Sequence, residues 1–278
     1  GDVTRYIQHA KVIHLEIDPS EINKVVKTEV GILADAKEGL EALLPYLEKN
    51  QHPDWLQKFK DCDKMEYDTV IKDELYPKSG SPRMGELMRI INEKTKGEAI
   101  IVPDVGQHQM FAMRYYDYTI PNSWVSSGGL GTMGFALPAA MGAQMAAPDR
   151  TVVSVIGDGC FQMTIQELGT IWQHHIPVKI VIFNNNFLGM VRQWQQLFFD
   201  KRYSQVDLIN PNFVEITKGF GIPAEKVSER EDLDAAFDRM FAHDGPYLIE
   251  VVVEKEANVF PMVPSGAAAY EIILEPKS

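Results

Sequence analysis

The sequence predicts an α/β protein: a doubly wound parallel sheet, preceded by the C-terminal part of a Rossmann-like domain. Three observations carry this. Thr151–Ile156 and Val178–Phe183 are near-continuous apolar runs rich in β-branched residues, the pattern of strands buried on both faces. Helical patterns separate and follow them, and such alternation is the mark of parallel crossover units. The 278 residues are 45% hydrophobic and 24% charged, enough apolar material for a sizeable core.

Residues 1–47 read strand, helix, strand, helix. Val12–Ile17 is a short strand. Asp18 and Pro19 then predict a helix start, with Asp as N-cap and Pro in the first helical position. Gly31–Ala34 is a second strand, and Asp35 caps a helix carrying Leu40, Leu43, Leu44 and Leu47. So few elements cannot close a core. This segment is therefore expected to be the end of a domain that begins upstream of Gly1.

Residues 48–80 read as a linker. Trp55, Leu56, Phe59, Cys62 and Met65 fall at helical spacing and predict an amphipathic helix packed on a domain surface. Lys78–Pro82 is a turn and a domain boundary. Residues 81–255 alternate regularly. A helix runs from Ser81 through Leu87, Ile90 and Ile91, and Ala99–Val102 is a strand. Gly129–Ala147 reads as a small-residue helix. Thr164–Glu167 reads as a capping box that opens a helix through Leu168, Ile171 and Trp172. Phe213–Phe220 and Glu231–Phe241 are helices, and Tyr247–Val253 is the last strand. Residues 256–278 form a tail.

Composition excludes several classes. The 27 Lys+Arg against 39 Asp+Glu give a net charge of −12, which argues against a nucleic-acid surface. The two cysteines, Cys62 and Cys160, cannot build a disulfide framework and fit a reducing, cytoplasmic location. Tyr118–Pro148 carries no charge, but it is broken by Pro121 and Pro138 and rich in Gly and Ala, unlike a membrane span. A buried wall beside something flat is the better reading.

In such sheets ligands bind at the loops leaving the carboxyl ends of the strands. Three of these loops have unusual composition. Gly157-Asp158-Gly159-Cys160 lets the backbone turn tightly and offers a hard anionic oxygen. A capped helix just beyond would aim N–H groups at the same space. Asn184–Gly189 brings amide carbonyls abruptly after a buried strand. A carboxylate, an amide oxygen and a backbone carbonyl form a donor set suited to Mg²⁺. Asp104–Gln109 is a polar run suited to phosphate oxygens. Taken singly, each has an ordinary explanation: a plain turn, a loop, a hydrogen-bonded histidine. His174-His175 is read as a helix C-terminus and not a metal pair. Position raises the odds, because Gly-Asp-Gly and Asn-Asn each close a buried strand, separated by about two dozen residues.

That spacing resembles the thiamine-diphosphate signature. Four further segments extend the resemblance: Asp104–Met110, Gly129–Phe135, Leu188–Trp194 and Pro261–Pro264. With them, the chain is similar essentially from end to end to the large catalytic subunit of the acetohydroxyacid synthase (acetolactate synthase) family. Ile13–Pro19 resembles the end of that family's middle, FAD-binding domain.

The resemblance implies roles. Asp158 and Asn185, with the Phe187 carbonyl, would hold Mg²⁺. Gln107 and His108 would hold the diphosphate, helped by Gly159 and Cys160, with Gly131 also beside the cofactor. Met133 would lie under the thiamine and enforce its bent shape. Met190 and Gly189 would contact it from the next loop. Trp194, with Gln193 beside it, would line the substrate channel and help choose the second 2-oxo acid. Glu16, Ile17 and Asp35 match positions near the FAD adenosine, and residues 256–278 match a tail over the site. Rival readings stand beside these: Met133 and Met190 as core gap-fillers, Trp194 packed on its own helix, Glu16 and Asp35 as strand end and helix cap, Arg192 as a solvated or salt-bridged neighbour. Cys160 departs from the Ser or Ala usual in the family, which argues against a hydroxyl bonding the phosphate there.

The implied reaction is condensation of pyruvate, with loss of carbon dioxide, onto pyruvate or 2-oxobutyrate, as in branched-chain amino acid biosynthesis. Implied partners are the rest of the large subunit, a homodimer partner that supplies an activating glutamate, and a regulatory small subunit. The 278 residues alone are expected to be a C-terminal fragment that does not turn over. Other readings are another thiamine-diphosphate carboligase or decarboxylase, such as glyoxylate carboligase or pyruvate oxidase; a non-catalytic module that kept the fold; and a generic phosphate-binding Mg²⁺ enzyme. Gln193-Trp194 and the Pro261–Pro264 tail argue against the first, and intact Asp158 and Asn185 against the second.

Overall fold

A computed structural model of the chain describes residues 2–274. These fall into two compact units, divided after Val70 and after Val259. The first division lies inside the stretch read as linker.

In the first unit, strands β1 (Ile13–Glu16) and β2 (Val30–Leu33) pair in parallel, Glu16 opposite Leu33. Helix α1 (Ala36–Leu43) follows, and the Asp35 carboxylate accepts from the Lys37 and Glu38 amides as its N-cap. The helix expected after Asp18-Pro19 is absent. Asp18 accepts from the Ser20 amide at 2.8 Å. The chain then closes two successive turns, Glu21 to Asp18 and Lys24 to Glu21. Asn23, at φ +64°, takes the left-handed conformation that a helix cannot continue through.

Helix α2 (Pro53–Glu66) forms as expected, but its apolar stripe is not packed away: Trp55, Leu56, Phe59 and Met65 are exposed. Local pairs support it instead. Trp55 meets Phe59 edge-on with centroids 4.5 Å apart, and Gln57 Nε2 donates to Asp61 at 2.8 Å.

The second unit is the doubly wound sheet. After α3 (Lys72–Leu75) and α4 (Met84–Thr95) come β3 (Ile100–Pro103), α5 (Gln107–Tyr115), α6 (Ala136–Ala146) and β4 (Val152–Gly157). Then come α7 (Asp158–Phe161), α8 (Glu167–Gln173), β5 (Lys179–Asn184), α9 (Gly189–Phe198), α10 (Phe213–Gly219), β6 (Ala224–Val227), α11 (Leu233–Ala242) and β7 (Tyr247–Val252). All five strands are parallel, in the order β3-β4-β5-β7-β6.

Alternation along the strands divides the core between two faces. Val153, Val155, Val181, Phe183, Ile249 and Val251 pack with Leu87, Ile91, Phe111 and Phe237. Val152, Ile156, Ile180, Ile182 and Leu248 pack with Leu137, Ala140, Leu168, Ile171 and Phe213. Every residue of β4 and β5 is buried, which is why both read as unbroken apolar runs.

Several boundaries differ from expectation. Helix α6 starts at Ala136 and not Gly129, because Gly131 (φ +64°) and Gly134 (φ +84°) hold a loop conformation. The Thr164 capping box is absent. Helix α8 begins at Glu167 with no side-chain cap, and the buried Thr164 hydroxyl has no partner among the described residues. The capped helix expected beside Gly-Asp-Gly is thus a single turn, α7. Strand β6 escapes the sequence reading because Glu225 and Lys226 sit mid-strand, as suits a charged sheet edge. Among the described residues no helix is long and apolar enough to cross a membrane.

Candidate functional site

The carboxyl ends of three adjacent strands meet at one cavity of approximately 80 Å³. From the end of β3, the start of α5 supplies Gln107 and His108. From the end of β4, the turn into α7 supplies Asp158, Gly159 and Cys160. From the end of β5, the loop into α9 supplies Asn185, Phe187, Gly189 and Met190. Met133 reaches in from the loop before α6. All ten line the cavity.

The glycines are there because side chains would not fit. A Cβ at Gly157 would lie 2.7 Å from His108 Cε1, and one at Gly189 2.8 Å from Asn185 Nδ2. Asn185 Oδ1 accepts from the Phe187 amide at 3.1 Å, an Asx turn that sets the course of the chain into α9.

The remaining sequence candidates lie elsewhere. Trp194, one turn further along α9, does not line the cavity; it is partly exposed and packs on Phe198 with centroids 5.0 Å apart. Gly131 stands in the loop before α6, where an added Cβ would come 3.8 Å from Val105, itself a cavity residue. Glu16, Ile17 and Asp35 belong to the first unit, at the carboxyl ends of β1 and β2. There Glu16 Oε1 accepts from the Ile17 amide at 2.9 Å.

Three readings are corrected. Among the described residues Arg192 is neither solvated nor salt-bridged. It is 0% exposed, and its guanidinium donates to Gln196 Oε1, the Ala257 carbonyl and Asn258 Oδ1, all neutral acceptors. Gln193 faces the interior beside Gln107: its Oε1 accepts from Gln107 Nε2 at 2.9 Å and from the Val259 amide at 2.8 Å. Asp104 is taken up by structure. Its carboxylate accepts from the Val105, Gly134 and Ala136 amides, which ties the glycine loop to the end of β3.

Asn210 was missed. Its Nδ2 donates to Asp158 Oδ2 at 2.7 Å and lies 3.1 Å from Asn184 Oδ1 and from Asn186 Oδ1. In the sequence Asn210-Pro211 reads only as a turn, and nothing local ties it to a carboxylate 52 residues earlier.

The electrostatics are those of a site short of positive charge. Burial pushes the Asp158 carboxyl up to about 6, against hydrogen bonds from Asn210 and Gly159 that lower it. Burial pulls His108 down to about 4, with Asp104 opposing, so the imidazole is neutral near pH 7. Among the described residues, the buried His108 Nε2 has no hydrogen-bond partner. A buried carboxylate and an imidazole nitrogen without a partner among the described residues fit Mg-diphosphate: Asp158, Asn185 and the Phe187 carbonyl are hard oxygen donors, and His108 Nε2 is available as a donor or acceptor.

Comparison with known proteins agrees with this geometry. Residues 104–251 match the family described as thiamine pyrophosphate enzyme, C-terminal TPP binding domain. The chain belongs to that family, and thiamine diphosphate is the cofactor the domain binds. Among individual proteins, it is 42% identical over 279 residues to the acetolactate synthase isozyme 2 large subunit of Escherichia coli (strain K12), covering 98% of this chain and 48% of that protein. It is 40% identical over 286 residues to acetolactate synthase 1, chloroplastic, of Oryza sativa subsp. japonica, covering 99% and 44%. It is 40% identical over 271 residues to the acetolactate synthase large subunit of Lactococcus lactis subsp. lactis (strain IL1403), covering 96% and 46%. The chain spans about half the length of these relatives.

Proposed function

We propose that this chain carries the thiamine-diphosphate side of an acetohydroxyacid synthase active centre. The enzyme would join pyruvate, with loss of carbon dioxide, to pyruvate or 2-oxobutyrate. The convergence of the β4 and β5 loops on one cavity, with Asp158 and Asn185 both lining it, carries the reading.

The residues divide the work. Asp158, Asn185 and the Phe187 carbonyl would hold Mg²⁺, and His108, Gly159 and Cys160 would face the diphosphate. Gln107 is held by Gln193 and the Ala257 carbonyl, at 2.9 and 2.8 Å, so it would orient its neighbours as much as bind. Met133 and Met190 present apolar side chains that would shape the bound cofactor and exclude water. The cofactor, when bound, supplies the electron sink for decarboxylation and carbon–carbon bond formation. Trp194 and its partner Phe198, on the exposed side of α9, would meet the acceptor acid. We further assign Glu16, Ile17 and Asp35 to an FAD adenosine site, on the grounds that they sit at the carboxyl ends of a parallel strand pair. A homodimer, a regulatory small subunit and a cytoplasmic location complete the proposal.

The test is acetolactate formation from pyruvate by the enzyme that contains this sequence. Dependence on both thiamine diphosphate and Mg²⁺, and loss of at least a hundredfold in turnover for Asp158→Ala, about 2.7 kcal/mol, are expected. Activity indifferent to either cofactor would refute the reading.

A further inference from the structure

We propose that Asp104, His108 and Cys160 form a second cation site, thiophilic in character and suited to a borderline or soft divalent ion such as Zn²⁺ or Cd²⁺. One ligating atom of each residue lies within 4.8 Å of the other two, and all three residues are buried. Carboxylate, imidazole and thiol make a donor set that such ions select and Mg²⁺ does not. Bond lengths of about 2.0–2.3 Å put tetrahedral ligand atoms roughly 3.5 Å apart, so the side chains need draw in by about 1 Å.

Each ligand has capacity to spare. His108 carries a buried Nε2 with no hydrogen-bond partner among the described residues. Asp104 accepts from three backbone amides, one on Oδ2 and two on Oδ1, and its side chain is also a hydrogen-bond partner of the Cys160 thiol, a weak contact that metal binding would replace. Cys160 Sγ donates to the Val105 carbonyl at 3.2 Å, a weak bond to give up. The charge also closes. A dication with one carboxylate, one thiolate and a neutral imidazole is neutral overall, the condition for holding an ion in a buried place. On binding, the metal–sulfur bond forms, the S–H bond breaks and the proton leaves to bulk water through the cavity that Cys160 and His108 line. Nothing is oxidised or reduced. Three protein ligands would leave a fourth position for water. If the cofactor reading above holds, the same two residues face the diphosphate, so metal and cofactor exclude one another.

The sequence holds two cysteines, so Cys62→Ser leaves Cys160 as the sole thiol. Cd²⁺ titrated into that variant is expected to give a saturable, stoichiometric sulfur-to-cadmium charge-transfer band in the ultraviolet. Adding Cys160→Ser should remove the band, and adding His108→Gln should weaken cadmium binding at least tenfold, with circular dichroism confirming the fold in each. No band, or a band of unchanged affinity in a folded His108→Gln variant, overturns the site. Should His108→Gln unfold, Asp104→Asn answers the same question by the same criterion. Prior saturation with Mg²⁺ and thiamine diphosphate should suppress the band. A band that survives saturation overturns the mutual exclusion. A band from a chain that binds no thiamine diphosphate upholds the metal site and counts against the cofactor reading alone.

Discussion

Asp158 concentrates the physics of the site in one carboxyl group. Its pKa is raised to about 6 because burial penalises the charged form more than Asn210 and Gly159 favour it. The unfolded carboxyl, with its ordinary value of 3.8, ionises first as pH rises. This group's contribution to the stability of the metal-free fold is therefore fully present below about pH 4 and is lost as pH rises through about 6. Mg²⁺ held by Asp158 would act in the opposite sense, since it would bind only the ionised form. Mg²⁺-dependent binding of thiamine diphosphate should strengthen roughly tenfold per pH unit up to about pH 6 and level off above it. His108, at about 4, is mostly neutral over the upper part of that rise, from about pH 5 to 6. Titrations at several pH values check this, and an Asp158→Asn variant should lose the dependence along with most of the binding. A flat profile in the unmodified chain would mean that another group controls the site. At this scale the sequence was most legible where chemistry is local. Gly157–Cys160 and Asn184–Gly189 announce themselves by composition. Asn210, buried Arg192 and inward-facing Gln193 do not, because each gains its role from a partner distant in the chain: Asp158 for the first, Ala257 to Val259 for the others.

At the scale of elements, the buried strands set the accuracy of the reading. β4 and β5 are apolar on both faces because helices cover both sides of the sheet, so runs of Val and Ile declare them. The errors fall on segments whose conformation depends on a tertiary tie. The Asp104 carboxylate, bonded to the amides of Gly134 and Ala136, holds as a loop what small-residue composition alone presents as helix. Asp18-Pro19 carries the residues of a helix start, but Asn23 in the left-handed region ends the run after two turns. Helix α2 has the right period and no covered face. This contrast is measurable. Phe59→Glu, on the exposed stripe of α2, should change stability by no more than about 0.5 kcal/mol. Phe237→Ala, fully enclosed between α11 and the sheet, should cost about 3–5 kcal/mol. Urea unfolding of the two variants checks it. A large loss for Phe59→Glu would show that the α2 stripe is covered in solution.

For the whole molecule, a parallel sheet brings separate strand ends together, and that is how residues near 107, 158 and 187 come to share one cavity. The acidic net charge does not oppose a diphosphate ligand, because local groups and the proposed cation would handle the phosphate charge. On the proposed reading this cavity binds thiamine diphosphate through a divalent cation held by Asp158. The most direct test is calorimetric titration of thiamine diphosphate into the chain with and without Mg²⁺, repeated with Asp158→Ala. Binding that requires Mg²⁺ and falls at least tenfold in the variant, about 1.4 kcal/mol, is the predicted result. Binding of equal strength with and without Mg²⁺, or unchanged in Asp158→Ala, would contradict it.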